Sequence, residues 1–411
     1  MTRDLLTGNA AAAWGARLAE VDYVPAYPIT PQTEIIETLA RWISDGQLAA
    51  RMVTLDSEHS MLTAAGAAAA TGARVFTATS SQGLVYGFEM LYTIAGWRVP
   101  LVLVNVARAL AAPITLEPDH NDVLAARDSG FLQLHAETCQ EVMDSILMAY
   151  RLAEHPDVLL PVLVNLDGFY LSFTREPVDL PAAEAVRAFL PPYEPAHARL
   201  SASHAMAQGV AVLGGSAYTF FKYQMQRASE AALSVHDTIA AEFRERFGRG
   251  YGAVEGFQLD DAEYVIVMSN SFSTTGKGEV ERLRARGEKV GLLRLRLLRP
   301  FPHELIARLL AGRRAVAVID QNISVGKGGI LFAEIASALY GRGGPPLRSV
   351  IGGLGGRRFR SVEFDQILAA LRDAELNGGS PEPWLLFSES EHRQMLDMLR
   401  TAHGERAESG S

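Results

Sequence analysis

Residues 51–80 read RMVTLDSEHSMLTAAGAAAATGARVFTATS, and the text changes character twice along them. RMVTLD is a short β-rich run. SEHSMLTAAGAAAATG is alanine-rich, favours helix and closes at Gly72, and its small side chains imply tight packing. ARVFTATS returns to β-rich text. A strand, a helix and a strand with short connections form a unit whose strands lie parallel. The alternation continues both ways. Upstream, LTGNAAAAWGARLAEV is a helix opened by Thr7 or Asn9, and QTEIIETLARWISDG is a helix ending at Gly46. Downstream, VPLVLVNVA and LLPVLVNLDG are buried strands, and TCQEVMDSILMAYRLAEH is an amphipathic helix.

The proline-rich LPPYEPAHARLSASH, residues 190–204, reads as a linker, and residues 205–250 hold helical text with solvated charges. A second α/β unit follows, with strands in AEYVIVMSN, VGLLRLRLLRPFP, AVAVIDQNIS and LRSVIGGLGG and helices between them. The tail beyond about residue 376 reads as helix, frayed at GERAESGS. The expected fold class is α/β with two parallel-sheet units, over residues 1–190 and 255–375, joined by a connection at 191–254 and followed by a helical tail at 376–411.

Composition narrows the function. The 411 residues carry 47 acidic and 38 basic side chains, a net charge of −9, with no basic stripe, which argues against a nucleic-acid partner. MTRDLLTGNAAAAWG lacks the apolar run of a signal peptide, and the longest apolar stretches are too short to span a bilayer, so the cytoplasm is expected. There is one cysteine, Cys139. It excludes an internal disulfide, a cysteine-built zinc site and an iron–sulfur cluster held by this chain alone, and in HAETCQEVMD it reads as a small buried residue.

Two glycine-rich stretches invite a phosphate reading. IGGLGG, residues 351–356, lacks the dinucleotide spacing, and SVGKGG, residues 324–329, lacks the P-loop spacing; both read as plain loops. In parallel α/β sheets, ligands gather at the carboxyl ends of strands. Thr30, Glu58 and Arg108 each follow a strand there. Singly, each has a plain explanation. Thr30 caps the next helix ahead of Pro31, Glu58 is an acid in a first helical turn, and Arg108 pairs with a surface carboxylate. Three at one edge point to a shared site.

AYPITPQTE, DSEHSMLTAAGAAAATGARVFTATSSQGL and ARALAAPITLEPDHNDVLAARDSG resemble the α subunit of 2-oxoacid:ferredoxin oxidoreductases, nearest to the pyruvate type. The similarity runs on through LLPVLVNLDGFYLS, FLPPYEP, EKVGLLRLRLLRPFP, VIDQNIS and IGGLGGR, most of residues 6–370. It implies a pyrimidine-type thiamine-diphosphate-binding domain followed by a transketolase C-terminal-like domain. It implies oxidative decarboxylation of a 2-oxoacid with coenzyme A to an acyl-CoA and CO₂. Glu58 matches the family's glutamate on the aminopyrimidine ring, while Thr30 and Arg108 match its substrate contacts, with Pro28 and Pro31 stiffening the turn that presents Thr30.

No GDG occurs in the chain. The Mg²⁺–diphosphate site is therefore expected on a β subunit, the iron–sulfur clusters on further subunits, and a γ-type subunit beside them. Departures from the pyruvate pattern are Ser172-Phe173 after DGF, where serine-histidine is common, and Glu117-Pro118 ahead of Asp119-His120. An aromatic ring at Phe173 raises an aromatic 2-oxoacid such as phenylglyoxylate as a second candidate substrate. The sequence also admits a non-oxidative thiamine-dependent decarboxylase subunit or a non-catalytic scaffold.

Overall fold

The alternation resolves into two sheets in a computed structural model that describes residues 2–195, 199–203 and 205–402. The first unit runs β1 (Thr2–Thr7), α1 (Gly8–Leu18), β2 (Tyr23–Ala26), α2 (Thr33–Ser44), β3 (Arg51–Thr54), α3 (Glu58–Ala69), β4 (Phe76–Thr79), α4 (Gln82–Tyr86), α5 (Phe88–Trp97), β5 (Val102–Ala107), α6 (Asn121–Ala125), β6 (Leu132–His135), α7 (Cys139–Ala153), β7 (Val162–Asp167), β8 (Arg175–Leu180) and α8 (Ala183–Phe189). β4, β5, β7 and β6 pair in that order, all parallel. The parallel pair β2–β3 continues this layer through a bridge from Tyr23 to Val75. The strands β5 and β7 are buried along their whole length, as expected of a sheet covered on both faces. Thr7 opens α1 by accepting from the Ala10 amide at 3.0 Å.

The helix α9 (Gly215–Phe247) leads to the second unit. Its second half buries Ala228, Ala232, His236, Ile239, Ala240, Phe243 and Phe247 as a core face, while its charged side chains stay on the solvated one. Then come β9 (Val254–Phe257), β10 (Tyr264–Ser269), α10 (Phe272–Arg284), β11 (Val290–Leu295), β12 (Leu297–Arg299), α11 (His303–Leu310), β13 (Ala315–Asp320), α12 (Ile330–Leu339), β14 (Leu347–Ile351), α13 (Ser361–Asn377), β15 (Ser380–Leu385) and α14 (Glu389–Ala402). The sheet order is β15-β14-β13-β10-β11-β9, parallel except for the edge strand β9.

Three features depart from the sequence reading. TRDLLT is strand β1, paired antiparallel with β8. VGLLRLRLLRPFP is two strands, and β12 leaves the second sheet to pair antiparallel with β6 of the first. The tail is not wholly helical: SPEPWL forms β15 beside β14. β15 is an edge strand, where Pro381 and Pro383 are tolerated because one side of the ladder is not used. The GERAESGS end lies outside the described residues.

The two units share a core. Met61, Leu62, Leu103 and Leu163 from the first sit in one apolar cluster with Leu295, Leu298, Val316 and Leu331 from the second. Charges also cross the junction. Arg294 bonds Glu141 at 3.0 Å and Glu255 at 2.8 Å, and the fully buried Arg296 bonds Glu141 at 2.6 Å and Ser145 at 2.8 Å. These satisfied ionic groups fix the relative register of the two sheets more than they add stability.

Candidate active site

The site lies at the carboxyl ends of the first sheet's strands. Glu58 is the first residue of α3, placed there because Ser57 caps the helix by accepting from the Ser60 amide at 3.2 Å. Glu58 is only 5% exposed, and its carboxyl has no hydrogen-bond partner among the described residues. It lies against the turn that leaves β4. A Cβ built on Gly83 would meet Glu58 Oε1 at 2.5 Å and Thr79 Oγ1 at 2.5 Å. Any side chain there would displace the Glu58 carboxyl or the Thr79 hydroxyl. Thr79 Oγ1, beside the same point, is buried without a partner, as are Ser80 Oγ and Gln82 Nε2 on the turn that follows.

Arg108 leaves β5 and is 7% exposed. Its Nη1 donates to the Thr30 carbonyl at 2.6 Å and its Nη2 to Gln82 Oε1 at 2.5 Å, while Nε is buried and unpartnered. No carboxylate pairs with it among the described residues. Burial lowers its pKa, partly offset by Asp122. An arginine buried without a carboxylate and with a spare donor is suited to hold an anion. The surface-pairing reading of Arg108 therefore does not hold.

Thr30 joins the site through its backbone. Its turn is fixed by Gln32, whose Nε2 donates to the Tyr27 carbonyl at 2.9 Å, and by Asn9, whose Nδ2 donates to the Pro31 carbonyl at 2.9 Å. Thr30 does not cap the next helix, because α2 begins at Thr33. Its side chain is exposed. All three candidates are thus brought together: Thr30 to Arg108 directly, and Arg108 to Glu58 through the consecutive residues Gln82 and Gly83.

Phe173 is placed differently. It is 44% exposed and packs on Phe169 with ring centroids 5.0 Å apart, so it is not core. Among the described residues no hydrogen bond or ring contact joins it to Thr30, Glu58 or Arg108. Glu117 instead abuts Gly356 of the IGGLGG loop, whose amide donates to the Pro118 carbonyl at 3.2 Å. That loop gives the first unit a close approach to the second. In SVGKGG, the helix end a phosphate would need is already taken: Asp320 accepts from the Leu331 and Phe332 amides at 2.6 and 3.1 Å. Burial pushes the Asp320 carboxyl up to about 7.

Cys139 is buried, and burial beside Glu176 pushes its thiol well above the usual range, as suits an inert packing residue. Among the described residues no cluster of three His, Cys, Asp or Glu side chains is placed to hold a metal ion, and no helix is long and apolar enough to cross a membrane.

Sequence reasoning passed over a second polar layer. His120 Nε2 pairs with Asp167 Oδ1 at 2.7 Å, and Asn270 Nδ2 and Ser271 bind the same carboxylate from the other unit. Burial opposes charge on His120, but Asp167 outweighs it and raises the pKa. Asp122, Asn105 and Asn165 form a further buried set. The available signal was Asn105 and Asn165 inside otherwise apolar strands.

Residues 14–241 match the thiamine-diphosphate-binding domain of pyruvate flavodoxin/ferredoxin oxidoreductases, and residues 262–364 match pyruvate:ferredoxin oxidoreductase core domain II. Pyruvate synthase subunit PorA of Methanocaldococcus jannaschii is 45% identical over 374 residues, 90% of this chain and 95% of that protein. PorA of Thermotoga maritima is 44% identical, over 92% and 95% respectively. Ketoisovalerate oxidoreductase subunit VorA of Pyrococcus abyssi is 43% identical, over 87% and 90%.

Among solved structures, the 2-oxoglutarate:ferredoxin oxidoreductase of Magnetococcus marinus superposes with a TM-score of 0.69 at 19% identity, over 90% of this chain and 65% of that one. A split-gene transketolase superposes at 0.52 and 12% identity, over 89% and 97%. Both support the fold: a thiamine-diphosphate-type domain followed by a transketolase C-terminal-like domain. The matched domains define a subunit of a thiamine-diphosphate-dependent oxidoreductase. Specifically, the chain belongs to the pyruvate:ferredoxin oxidoreductase family.

The residues fit the pyrimidine end of that cofactor. A buried glutamate whose carboxyl has no partner, a glycine against it and orphaned polar atoms on the adjoining turn leave hydrogen-bonding groups free for a heteroaromatic ring.

Proposed function

We propose that this chain is the α subunit of a heteromeric, cytoplasmic, pyruvate-type 2-oxoacid oxidoreductase that makes acyl-CoA and CO₂. In this reading a β subunit holds Mg²⁺ and the diphosphate, iron–sulfur subunits take the electrons, and a γ-type subunit completes the complex. The observation that carries it is Glu58, buried and unbonded against Gly83, with Arg108 anchored beside it.

Bound thiamine diphosphate supplies the electron sink that lets the carboxylate leave as CO₂. The Glu58 carboxyl, free of competing bonds, would hold the aminopyrimidine ring by a hydrogen bond to its ring nitrogen. Arg108 binds the substrate carboxylate through its spare donors, while its bonds to Thr30 and Gln82 keep the guanidinium from turning away. The Thr30 hydroxyl, unbonded among the described residues and exposed, donates to the carboxylate or keto oxygen.

An anaerobic pull-down of this chain from its own cell, with the partners sequenced and a panel of 2-oxoacids assayed, tests the proposal. A partner carrying G-D-G…N, another carrying cluster cysteines, and pyruvate-dependent acceptor reduction are expected. Partners without cluster cysteines would move the assignment to a non-oxidative enzyme.

A further inference from the structure

We infer that Asp122 is a positioning residue for the reaction, one carboxylate that sets the Glu58-facing turn and the Arg108 loop in register. This rests on the proposed role of Arg108 as the substrate anchor. Asp122 is fully buried in the short α6. Its Oδ2 accepts three bonds: from the Ser81 amide at 3.0 Å, the Arg108 amide at 3.2 Å and Asn105 Nδ2 at 3.1 Å. Its Oδ1 accepts from the Val123 amide at 2.6 Å.

Two of those donors open the two site-forming segments. Ser81 begins the turn that carries Gln82 and Gly83, and Arg108 begins the loop after β5. Ser81 sits at φ +48°, a conformation that L residues adopt only when held. The hold is visible: its amide is bound to Asp122, and its hydroxyl, with one proton to give, lies within hydrogen-bond reach of Gln82 Oε1 at 2.6 Å and of the Ala109 carbonyl at 2.9 Å. Gln82 Oε1 in turn receives Arg108 Nη2. Asp122 thus fixes the backbone of Arg108 directly and its guanidinium through Ser81 and Gln82. Asn105, the third donor, also donates to Asn165 Oδ1 at 2.9 Å, which ties the carboxylate to β7. Both oxygens are occupied by donors of this chain and the residue is fully buried, so Asp122 acts through its neighbours.

Asp122→Asn keeps the shape but turns one acceptor into a donor, which then faces either Val123 or the Ser81–Arg108–Asn105 set. The test uses the complex purified through this chain, saturated with thiamine diphosphate, with pyruvate as substrate and kcat counted per bound cofactor. Asp122→Asn, Arg108→Ala and the double variant are compared. The expected result is a roughly tenfold or greater rise in KM with a fall in kcat for Asp122→Asn, and a double variant within about twofold of Arg108→Ala alone.

A merely structural role would lower the yield of active complex and leave KM and kcat per site alone. Unchanged constants in Asp122→Asn, or effects that multiply with those of Arg108→Ala, would overturn the inference. Should Asp122→Asn not assemble, Ser81→Ala probes the same linkage: a severalfold rise in KM supports it and an unchanged KM overturns it. If Arg108→Ala itself leaves KM unchanged, the substrate-anchor reading fails. An impaired Arg108→Ala beside a normal Asp122→Asn removes the present inference alone.

Discussion

Gly83→Ala separates activity from stability. The new methyl would lie 2.5 Å from Glu58 Oε1, 2.5 Å from Thr79 Oγ1 and 2.9 Å from Glu58 Cγ. Ordinary carbon contacts need about 3.5 Å, so the carboxyl and the turn must part by roughly 1 Å. A misplacement of that size costs about a hundredfold in rate, or about 2.7 kcal/mol of barrier. The stability cost is smaller. Strain of about 1–3 kcal/mol is opposed by a helix-propensity gain of about 1 kcal/mol, because Gly83 lies within α4 at an ordinary φ. The assay is anaerobic, 2-oxoacid-dependent reduction of a dye acceptor by the assembled complex, alongside thermal unfolding. The expected variant assembles, melts within several degrees of the parent and turns over about a hundredfold more slowly. Wild-type kcat would refute the reasoning, because a displaced Glu58 would then not matter.

Arg108→Ala removes charge-assisted bonds and frees the Thr30 turn, so KM for pyruvate rises and kcat falls, together about 10²-fold in kcat/KM; steady-state kinetics check both. His135 gives a pH signature. Burial, helped by the charge on His120, pushes its imidazole down to about 3, against about 6.5 unfolded, so its stability term is full above pH 6.5 and is lost as pH falls toward 3. The loss at pH 5 is about 2 kcal/mol. Because Asp122 and Asp320, both raised, gain stability over the same range, the quantity to measure is the difference in denaturant midpoint between wild type and His135→Gln. That difference should narrow on acidification.

The sheets were legible because β5, β7, β10 and β13 are apolar runs bounded by polar turns, and periodicity reads such runs well. β1 and β15 were not, because one is mostly exposed and charged and the other holds two prolines at a sheet edge, so neither alternates cleanly. β12 was hidden because its pairing with β6 is set by tertiary packing, with Arg294 and Arg296 buried where a sequence suggests solvent. That Glu58, Thr30 and Arg108 gather at one edge was legible from their places after strands. The contacts of Gly83, Gln82 and Asp122 were not, because each depends on which atom comes close across the fold. Thr30 reaches Arg108 by its carbonyl, which any residue possesses.

The claim that this chain supplies the pyrimidine side of a shared thiamine-diphosphate site is tested most directly by Glu58→Ala in the complex purified through this chain. Subunit content, bound thiamine diphosphate and pyruvate-dependent acceptor reduction are measured on one preparation. The account predicts an intact complex that retains cofactor and loses turnover by at least about 10²-fold. Normal turnover in that preparation would contradict it.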